Sequence, residues 1–405
     1  MAIKKSKRSK AVVAAVMALM LILAACSSEG DGDATPEPSD DTTDEPADEP
    51  AEDLEPVIIR WQFDHGPPPH PNSVAAEWFK DQVEEAIPGS EVRLFYAGSL
   101  YSSNATALEA AALGNVELVN GQYGKDAPFE PTAGIVNQPA ALTTPGAISN
   151  LYDTEHFALL RERMEALGVI TLANASTSFF LGYAGKGPHP STPDDLVGLN
   201  IRSFDTVTQP TVLGKWGANA IALAFADVPS SLETGVIDGV LTSVGGWGAI
   251  EDQVPYYTAF GIGALGQDPY AYHASKTWLD SLNESTRAEV ERLVREAADM
   301  SLQFTWCDDM RTIEEIGTDD LNEPGLLVHP PEVVARFYGK ELLGDDVTKA
   351  VEAAVAEEAR PLVASWFEEA QALNEAHPLG TSRVETTDCA PFNEMHDEYT
   401  AQQTG

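Results

Sequence analysis

Short runs of β-branched and aromatic residues alternate with amphipathic segments along most of the chain. Residues 57–63 are typical of a strand. The following segment repeats apolar residues at helical spacing until Pro88, with Asn72 or Ser73 as the expected cap. The same pattern predicts strands at 91–96, 199–202 and 236–241, and helices at 106–113, 209–216 and 228–234. Alternation of strands and helices favours an α/β fold.

One predicted helix is unusually long. From Ala288 to Ile316, apolar or small residues recur at spacings of four or less, and Gly317 ends the segment. Two stacked helices with a break near Cys307 are the alternative. A further helix is predicted at 347–373, with a kink at Pro361.

The first 25 residues have the pattern of an export signal. Cations at positions 4–10 precede an apolar run, residues 11–25, that is too short for a membrane span. The run ends in Leu-Ala-Ala before Cys26, which resembles a bacterial lipobox, where the cysteine receives a diacylglycerol group. We therefore expect an extracytoplasmic protein that a lipid alone holds at the membrane. An ordinary secretory peptide with an incidental cysteine is the alternative.

Residues 26–55 follow as an expected lipid-anchored, acidic and disordered tether. Thirteen acidic residues and no Lys or Arg fill positions 27–55. The whole chain carries −40, and setting aside the five cations of the signal and the thirteen acids of the tether leaves −32 for residues 56–405. A surface of this charge repels nucleic acid and anionic lipid.

The remaining cysteines and histidines carry no recognisable catalytic pattern. Cys307 and Cys389 could form a disulfide that pins the C-terminal segment to the long helix, or could be two separate thiols. The sequence contains no G-x-S-x-G, H-E-x-x-H or C-x-x-C motif, and its eight histidines are scattered. We expect no enzymatic activity, cofactor or metal; an anchored hydrolase such as an esterase is a less favoured alternative.

The segment 191–239 carries an ordered set of residues that resembles the DctP-type extracytoplasmic solute receptors of TRAP transporters. The resemblance continues more thinly from about residue 58 to residue 325. The matching positions are Pro193, Asp195, Leu196, Gly198, Leu199, Arg202, Gly217, Ala218, Phe225, Leu232, Thr234, Gly235, Asp238 and Gly239.

This resemblance implies a two-lobed, periplasmic-binding-protein-like α/β fold with a hinge and a long helix spanning both lobes. It implies lobe I at about 56–181 plus 268–330 and lobe II at about 182–267 plus 331–390. Crossings near Gly182 and Pro269 would join the lobes and provide the hinge.

The resemblance also implies which residues bind ligand. Arg202 stands at the family's carboxylate-binding arginine, and a guanidinium presents a planar fork of donors to a carboxylate; a surface ion pair is the alternative. Phe225 matches an aromatic residue that packs on the ligand, or is plain core. Further candidates are Thr242, Ser243 and Trp247 in lobe II, and Tyr123 and His70 in lobe I. Core packing is the alternative for Trp247 and Tyr123.

Two departures from the family pattern bear on the ligand. Leu241-Thr242 replaces a Glu-Asn pair, and no second arginine stands in the segment 181–186, where Lys186 is the available cation. His65 and His70 flank three prolines, expected as a polyproline segment at the cleft mouth; with Asp64 they match no known metal-ligand pattern.

We therefore expect a receptor that binds an organic acid, with a monocarboxylate favoured, and that delivers it to the membrane subunits of a TRAP-type transporter. A receptor of the same fold that serves a sensor kinase or an ABC permease is the alternative.

Overall fold

The computed structural model describes residues 53–261 and 269–404. The expected signal segment, the lipidation site Cys26 and most of the expected tether lie outside these residues. Within them, no helix is long and apolar enough to cross a membrane. The last tether residues differ from the expectation: the Glu55 amide donates to Thr286 Oγ1 at 2.7 Å and the Asp53 carbonyl accepts from Asn283, so this end of the tether is ordered.

The strands of the described residues form two sheets. In chain order they are β1 Ile58–Gln62, β2 Glu91–Phe95, β3 Leu118–Gln122, β4 Val169–Ser176, β5 Gly182–Gly185, β6 Asn200–Ser203, β7 Asn219–Ala222, β8 Gly239–Thr242, β9 Tyr256–Ala259, β10 Pro269–Ser275 and β11 Gly325–Val328. The first sheet has the order β2-β1-β3-β10-β4 and the second has the order β11-β9-β5-β8-β6-β7. β10 runs antiparallel to β3 and β4, and β5 runs antiparallel to β8 and β9.

Helices cover both sheets. They are α1 Pro71–Ala86, α2 Asn104–Ala112, α3 Tyr123–Asp126, α4 Pro145–Ser149, α5 Glu155–Ala166, α6 Thr208–Lys215, α7 Val228–Glu233, α8 Val244–Gly248, α9 Lys276–Leu279, α10 Glu284–Ile316, α11 Pro331–Tyr338, α12 Lys340–Leu343, α13 Asp346–Ala354, α14 Arg360–Ala376 and α15 Ala390–Thr404. The two-lobed mixed α/β fold expected from the sequence is confirmed.

The chain passes between the sheets more often than expected. β4 leads to β5, β9 leads back to β10, and after α10 the chain adds β11 to the second sheet beside β9. The expected lobe I segment 268–330 therefore ends too late, because Gly325–Val328 belongs to the second sheet. The expected lobe II segment 331–390 is also divided, because α13 packs on α6 whereas α14 packs on α4 of the first lobe.

The long helix α10 is continuous through Cys307, so the alternative of two stacked helices is wrong. The Asn283 side chain accepts from the Thr286 amide at 2.8 Å and caps its first turn. Its buried stripe includes Val290, Leu293 and Phe304. A disulfide joins Cys307 to Cys389.

Asp309 fixes α10 to the first crossing between the sheets. Its carboxylate is 1% exposed and accepts from the Ser178 hydroxyl at 3.0 Å and from the Phe179 amide at 2.7 Å. Because both donors lie between β4 and β5, the crossing and the helix form one hydrogen-bonded unit.

Gly182, expected near a hinge, lies at the start of β5. A Cβ at this position would stand 2.4 Å from the Thr258 carbonyl oxygen. The glycine therefore allows close strand packing.

The expected kinked helix at 347–373 is two helices. α13 ends at Ala354 and α14 begins at Arg360, so Pro361 lies in the first turn of α14. Proline fits this turn because its missing N–H would have no helical partner there. The break therefore precedes the proline by several residues.

α14 covers a buried histidine of the first lobe. His156 is 1% exposed, its ring centre lies 5.0 Å from that of Trp366, and neither ring nitrogen has a hydrogen-bond partner. Burial lowers the pKa of His156 to about 4.

We expect His156→Phe to make the protein less sensitive to acid. An unfolded histidine binds a proton below a pKa of about 6.5, whereas native His156 stays neutral down to about 4, so stability is lost as the pH falls through this window. At pH 5 the loss is about 2 kcal/mol. Urea unfolding at pH 7.5 and pH 5 should show the variant losing about that much less than the parent protein. Equal losses would contradict the role of His156.

Candidate ligand-binding site

Arg202 lies on β6 in the interior of the second lobe. It is 2% exposed; its Nε donates to the Leu223 carbonyl at 3.0 Å and its Nη1 donates to the Leu241 carbonyl at 3.1 Å. The guanidinium carbon stands 5.6 Å from the centre of the Phe225 ring and 5.7 Å from that of Phe204. Carbonyls and aromatic rings thus hold the guanidinium in one orientation, which is the arrangement that suits bidentate capture of a carboxylate.

Residues of the first lobe meet this group across Phe204. Lys125 Nζ lies 6.0 Å from the centre of the Phe204 ring and 5.9 Å from that of Tyr270. Lys125 also forms a 2.5 Å ion pair with Asp64, whose carboxylate accepts from the Tyr270 hydroxyl at 3.2 Å. Phe204 therefore connects the arginine of one lobe to the ion pair of the other.

The positive charge of Lys125 is balanced by the carboxylate of Asp64. Burial alone would raise the pKa of Asp64, but Lys125 and His65, with hydrogen bonds from Lys125 and Tyr270, outweigh it and hold this pKa below its usual value. The carboxylate is therefore ionised at neutral pH, and it neutralises Lys125.

His65 and His70 stack beside the ion pair. Their ring centres lie 3.9 Å apart, His65 Nε2 lies 2.9 Å from Asn120 Oδ1, and His70 Nδ1 has no hydrogen-bond partner. Burial lowers the pKa of both rings, and the pKa of His70 lies well below its usual value. Both histidines are therefore neutral at neutral pH. Within the described ranges, no group of three His, Cys, Asp or Glu residues is arranged to hold a metal ion.

The proline segment before His70 differs from the expectation. The His70 amide donates to the Pro67 carbonyl at 3.3 Å, which forms a turn, whereas polyproline helix has no internal hydrogen bonds. His70 is the residue preceding α1, so Asn72 and Ser73 lie inside the helix and do not cap it. Ser73 Oγ instead donates to the Gly66 carbonyl at 2.6 Å.

Thr242 and Ser243 lie where β8 ends beside Arg202. Ser243 Oγ accepts from the Gly246 amide at 3.1 Å and caps α8. A Cβ on Gly246 would stand 2.2 Å from Thr242 Oγ1 and 3.5 Å from the Phe225 ring. Glycine at this position thus lets the Thr242 hydroxyl and Phe225 approach the start of the same helix.

Two of the sequence candidates are core residues in this structure. Trp247 is 2% exposed, donates from Nε1 to the Val254 carbonyl at 2.7 Å and stacks on Tyr257. Tyr123 is fully buried, and its hydroxyl donates to Asn174 Oδ1 at 2.5 Å. The structure thus groups Arg202 with Phe225, and groups His70 with the facing ion pair, whereas it places Trp247 and Tyr123 in packed interiors.

Sequence reasoning did not identify Phe204, Lys125 or Tyr270 as members of the site. Phe204 has a sequence signal, because it directly follows β6 and stands two positions after Arg202, the spacing that keeps side chains on one face of an extended chain. Lys186, the expected substitute for a second arginine, donates to the Leu232 carbonyl at 2.9 Å beside α7. The second cation of the cluster is Lys125.

Comparison with known proteins identifies the class of fold and then the family. The structure is similar to that of the sugar acid binding protein DctPAm from Advenella mimigardefordensis in complex with galactonate, with a TM-score of 0.68, 19% identity and coverage of 78% of this chain and 100% of that chain. This similarity defines the fold of a two-lobed solute-binding protein. The model of the bacterial extracellular solute-binding protein family 7, DctP, matches residues 64–319, and the chain belongs to this family.

Two curated relatives are more similar in sequence than this solved structure is. A solute-binding protein of Chromohalobacter salexigens is 28% identical over 43% of this chain, and the match spans about half (51%) of that relative's length. The C4-dicarboxylate-binding periplasmic protein DctP of Rhodobacter capsulatus is 25% identical over 75% of this chain and 92% of its own length.

Proposed function

We propose that this protein is the extracytoplasmic receptor of a TRAP-type secondary transporter and binds an organic acid through Arg202. The observation that carries the proposal is the buried guanidinium, oriented by two carbonyls and two aromatic rings and facing the first lobe across Phe204. Family membership supports the receptor role, and the names of relatives specify acids: C4-dicarboxylates for one and galactonate for another. Delivery to membrane subunits and anchoring through a lipid on Cys26 are parts of this proposal.

Within the organic acids, a monocarboxylate fits the cluster best. A dicarboxylate is bound best with a second cation, and Lys125, which lies on the other side of Phe204, is already neutralised by Asp64. Phe204 and Phe225 offer ring faces to a less polar ligand body. The dicarboxylate-binding relative shows that the family also accepts ligands with two carboxylates.

We expect a thermal-shift screen to detect monocarboxylates, because a ligand that binds only the folded protein raises the midpoint of unfolding. Small-angle scattering with such a ligand should give a smaller radius of gyration, since the two lobes would close around it. Hydrogen exchange should slow at Arg202 and Thr242, while the protection of α10 stays nearly constant.

The controls separate the receptor role from the ligand class. If succinate and malate raise the midpoint of unfolding and monocarboxylates do not, the preference for a monocarboxylate is wrong, and the proposed receptor role still holds. An unchanged radius of gyration with bound ligand, or protection gained mainly in α10, would contradict closure around a rigid long helix.

A further inference from the structure

A cavity of about 230 Å³ is lined by residues of both lobes and of the C-terminal part of the chain. Gly124, adjacent to Lys125, and Asp205, adjacent to Phe204, both line it. Three residues of extended chain reach about 10–11 Å, so the Cα atoms of Asp205 and Arg202 are at most that far apart. The other lining residues are Ala127, Pro128, Pro131, Gly134, Asn137, Thr206, Val207, Thr208, Val351 and Ala354.

Few polar side chains line this cavity, and two of them, Asp205 and Thr208, already form hydrogen bonds within the protein. Asp205 is 5% exposed and lies just before α6. Its carboxylate accepts from the Gln209 amide in the first turn at 3.0 Å and from the Thr208 hydroxyl. Burial raises the pKa of Asp205 even though these donors oppose the shift. Asp205 therefore stabilises the first turn of α6.

Asn137 is different, because it is 4% exposed and its Oδ1 has no hydrogen-bond partner. Its amide nitrogen lies so close above Gly124 that a Cβ there would stand 2.1 Å away. A buried polar group without a partner is unfavourable, and a ligand can supply the missing bond. Asn137 thus offers an acceptor to a hydroxyl or N–H group inside a largely apolar cavity.

One wall of the cavity comes from α13, which lies beyond the residues that the family model matches, 64–319. The helix touches both lobes. Asp346 forms an ion pair with Lys215 at the end of α6, and Thr348 Oγ1 donates to Gln138 Oε1 of the first lobe at 3.2 Å. Val351 and Ala354 then complete the cavity.

We infer that this cavity is the subsite for the body of the ligand and that α13 determines how large that body can be. The inference rests on the proposed function, with the carboxylate at Arg202. An apolar cavity of about 150 Å³ holds benzene, so the present cavity has room for a ring with a substituent. The ligand class is a carboxylate with a ring-sized, mostly apolar body that carries one hydrogen-bond donor for Asn137.

Acetate, phenylacetate and 4-hydroxyphenylacetate test this inference by calorimetry and by competition, since they add first the ring and then the donor. We expect phenylacetate to bind at least about tenfold more tightly than acetate because the ring leaves water. The hydroxyl should add about two- to tenfold through Asn137. Ala354→Trp places a large side chain on the cavity lining, and it should weaken binding of both ring compounds by at least about tenfold and leave acetate unchanged.

Matched variants sharpen the test. Lys349→Trp adds the same side chain to an exposed position of α13 outside the cavity and should leave the order of the three affinities unchanged. Asn137→Ala should remove the advantage of 4-hydroxyphenylacetate over phenylacetate alone. If Ala354→Trp fails to fold, Ala354→Leu takes its place with a smaller expected effect.

The outcomes separate the subsite from the receptor role. Acetate binding as tightly as the ring compounds, or Ala354→Trp weakening all three acids equally, would overturn the subsite and leave carboxylate capture by Arg202 standing. Failure of all carboxylates in the wider screen to bind would overturn the receptor proposal itself.

Discussion

Arg202→Lys should weaken binding of the carboxylate ligand by at least about tenfold, because the loss of a charge-assisted, bidentate pair costs about 1.5–3 kcal/mol. Lysine keeps the positive charge but presents a single point of donation, so it cannot hold both carbonyls and the ligand in the geometry of the guanidinium. The Leu223 and Leu241 carbonyls would each lose a donor from the arginine side chain. Titration calorimetry with the ligand found in the thermal-shift screen measures the effect.

A matched control exists in the first lobe. Arg161 also donates to a backbone carbonyl, that of Tyr152, and also stacks on an aromatic ring, 4.0 Å from the centre of the Tyr152 ring, but it lies on α5. Arg161→Lys makes the same chemical change outside the cleft and should leave affinity unchanged. Unchanged affinity in a folded Arg202→Lys protein would remove Arg202 from the site.

Much of the fold could be predicted because its signals are local. The strand at Ile58–Gln62 and helices such as Thr208–Lys215 stand within one or two residues of their expected bounds, since apolar periodicity and turn residues decide them. α10 was predicted as one long helix because an uninterrupted apolar stripe needs no tertiary information. Pro361 was misjudged as a kink because a proline in the first turn of a helix and one in its interior look alike in sequence.

The site could be predicted only where a family position marked it. The resemblance marks Arg202 and Phe225 as candidates, and the structure places the guanidinium carbon 5.6 Å from the centre of the Phe225 ring. Lys125 and Tyr270 are distant in sequence from Arg202. Tertiary packing, which no local pattern encodes, places Lys125 near both Phe204 and Tyr270. Tyr123 stands two positions before Lys125 in the same short helix, and it is buried in the core, whereas Lys125 faces Phe204.

The C-terminal segment was the least predictable part of the chain. Its helices divide between the lobes, with α13 on α6 and α14 on α4, and composition does not distinguish these neighbours. The disulfide was left open because the separation of Cα atoms cannot be read from sequence.

Loss of the Cys307–Cys389 disulfide should have the largest effect on stability. The bond closes a segment with a sequence separation of 82 residues, and loop-closure entropy for such a length corresponds to an upper value of about 4.5 kcal/mol. We expect Cys307→Ser with Cys389→Ser to lose about 2–4 kcal/mol and to melt several degrees earlier. Differential scanning calorimetry measures this change.

The contacts around the disulfide determine which part of the molecule loosens first. α15 lies on α10 through the Phe304–Phe392 ring pair at 5.5 Å and through the partly exposed Arg311–Asp397 ion pair at 3.3 Å. Exposed ion pairs contribute at most about 1 kcal/mol, so they cannot replace the covalent bond. Hydrogen exchange should therefore accelerate in α15 before it does in β6, and ligand affinity at Arg202 should stay unchanged.

A reducing agent provides the control for these variants. It should lower the melting midpoint of the parent protein to that of the double variant, and it should not change the melting midpoint of the double variant. A double variant that keeps the parent's midpoint would show that the packing of α15 on α10 holds the C-terminal segment without the bond. Weakened ligand binding in a variant whose β6 amides keep their protection from hydrogen exchange would show that the C-terminal segment influences the cleft. We expect no such influence, because Asp309 fixes α10 to the crossing independently of Cys389.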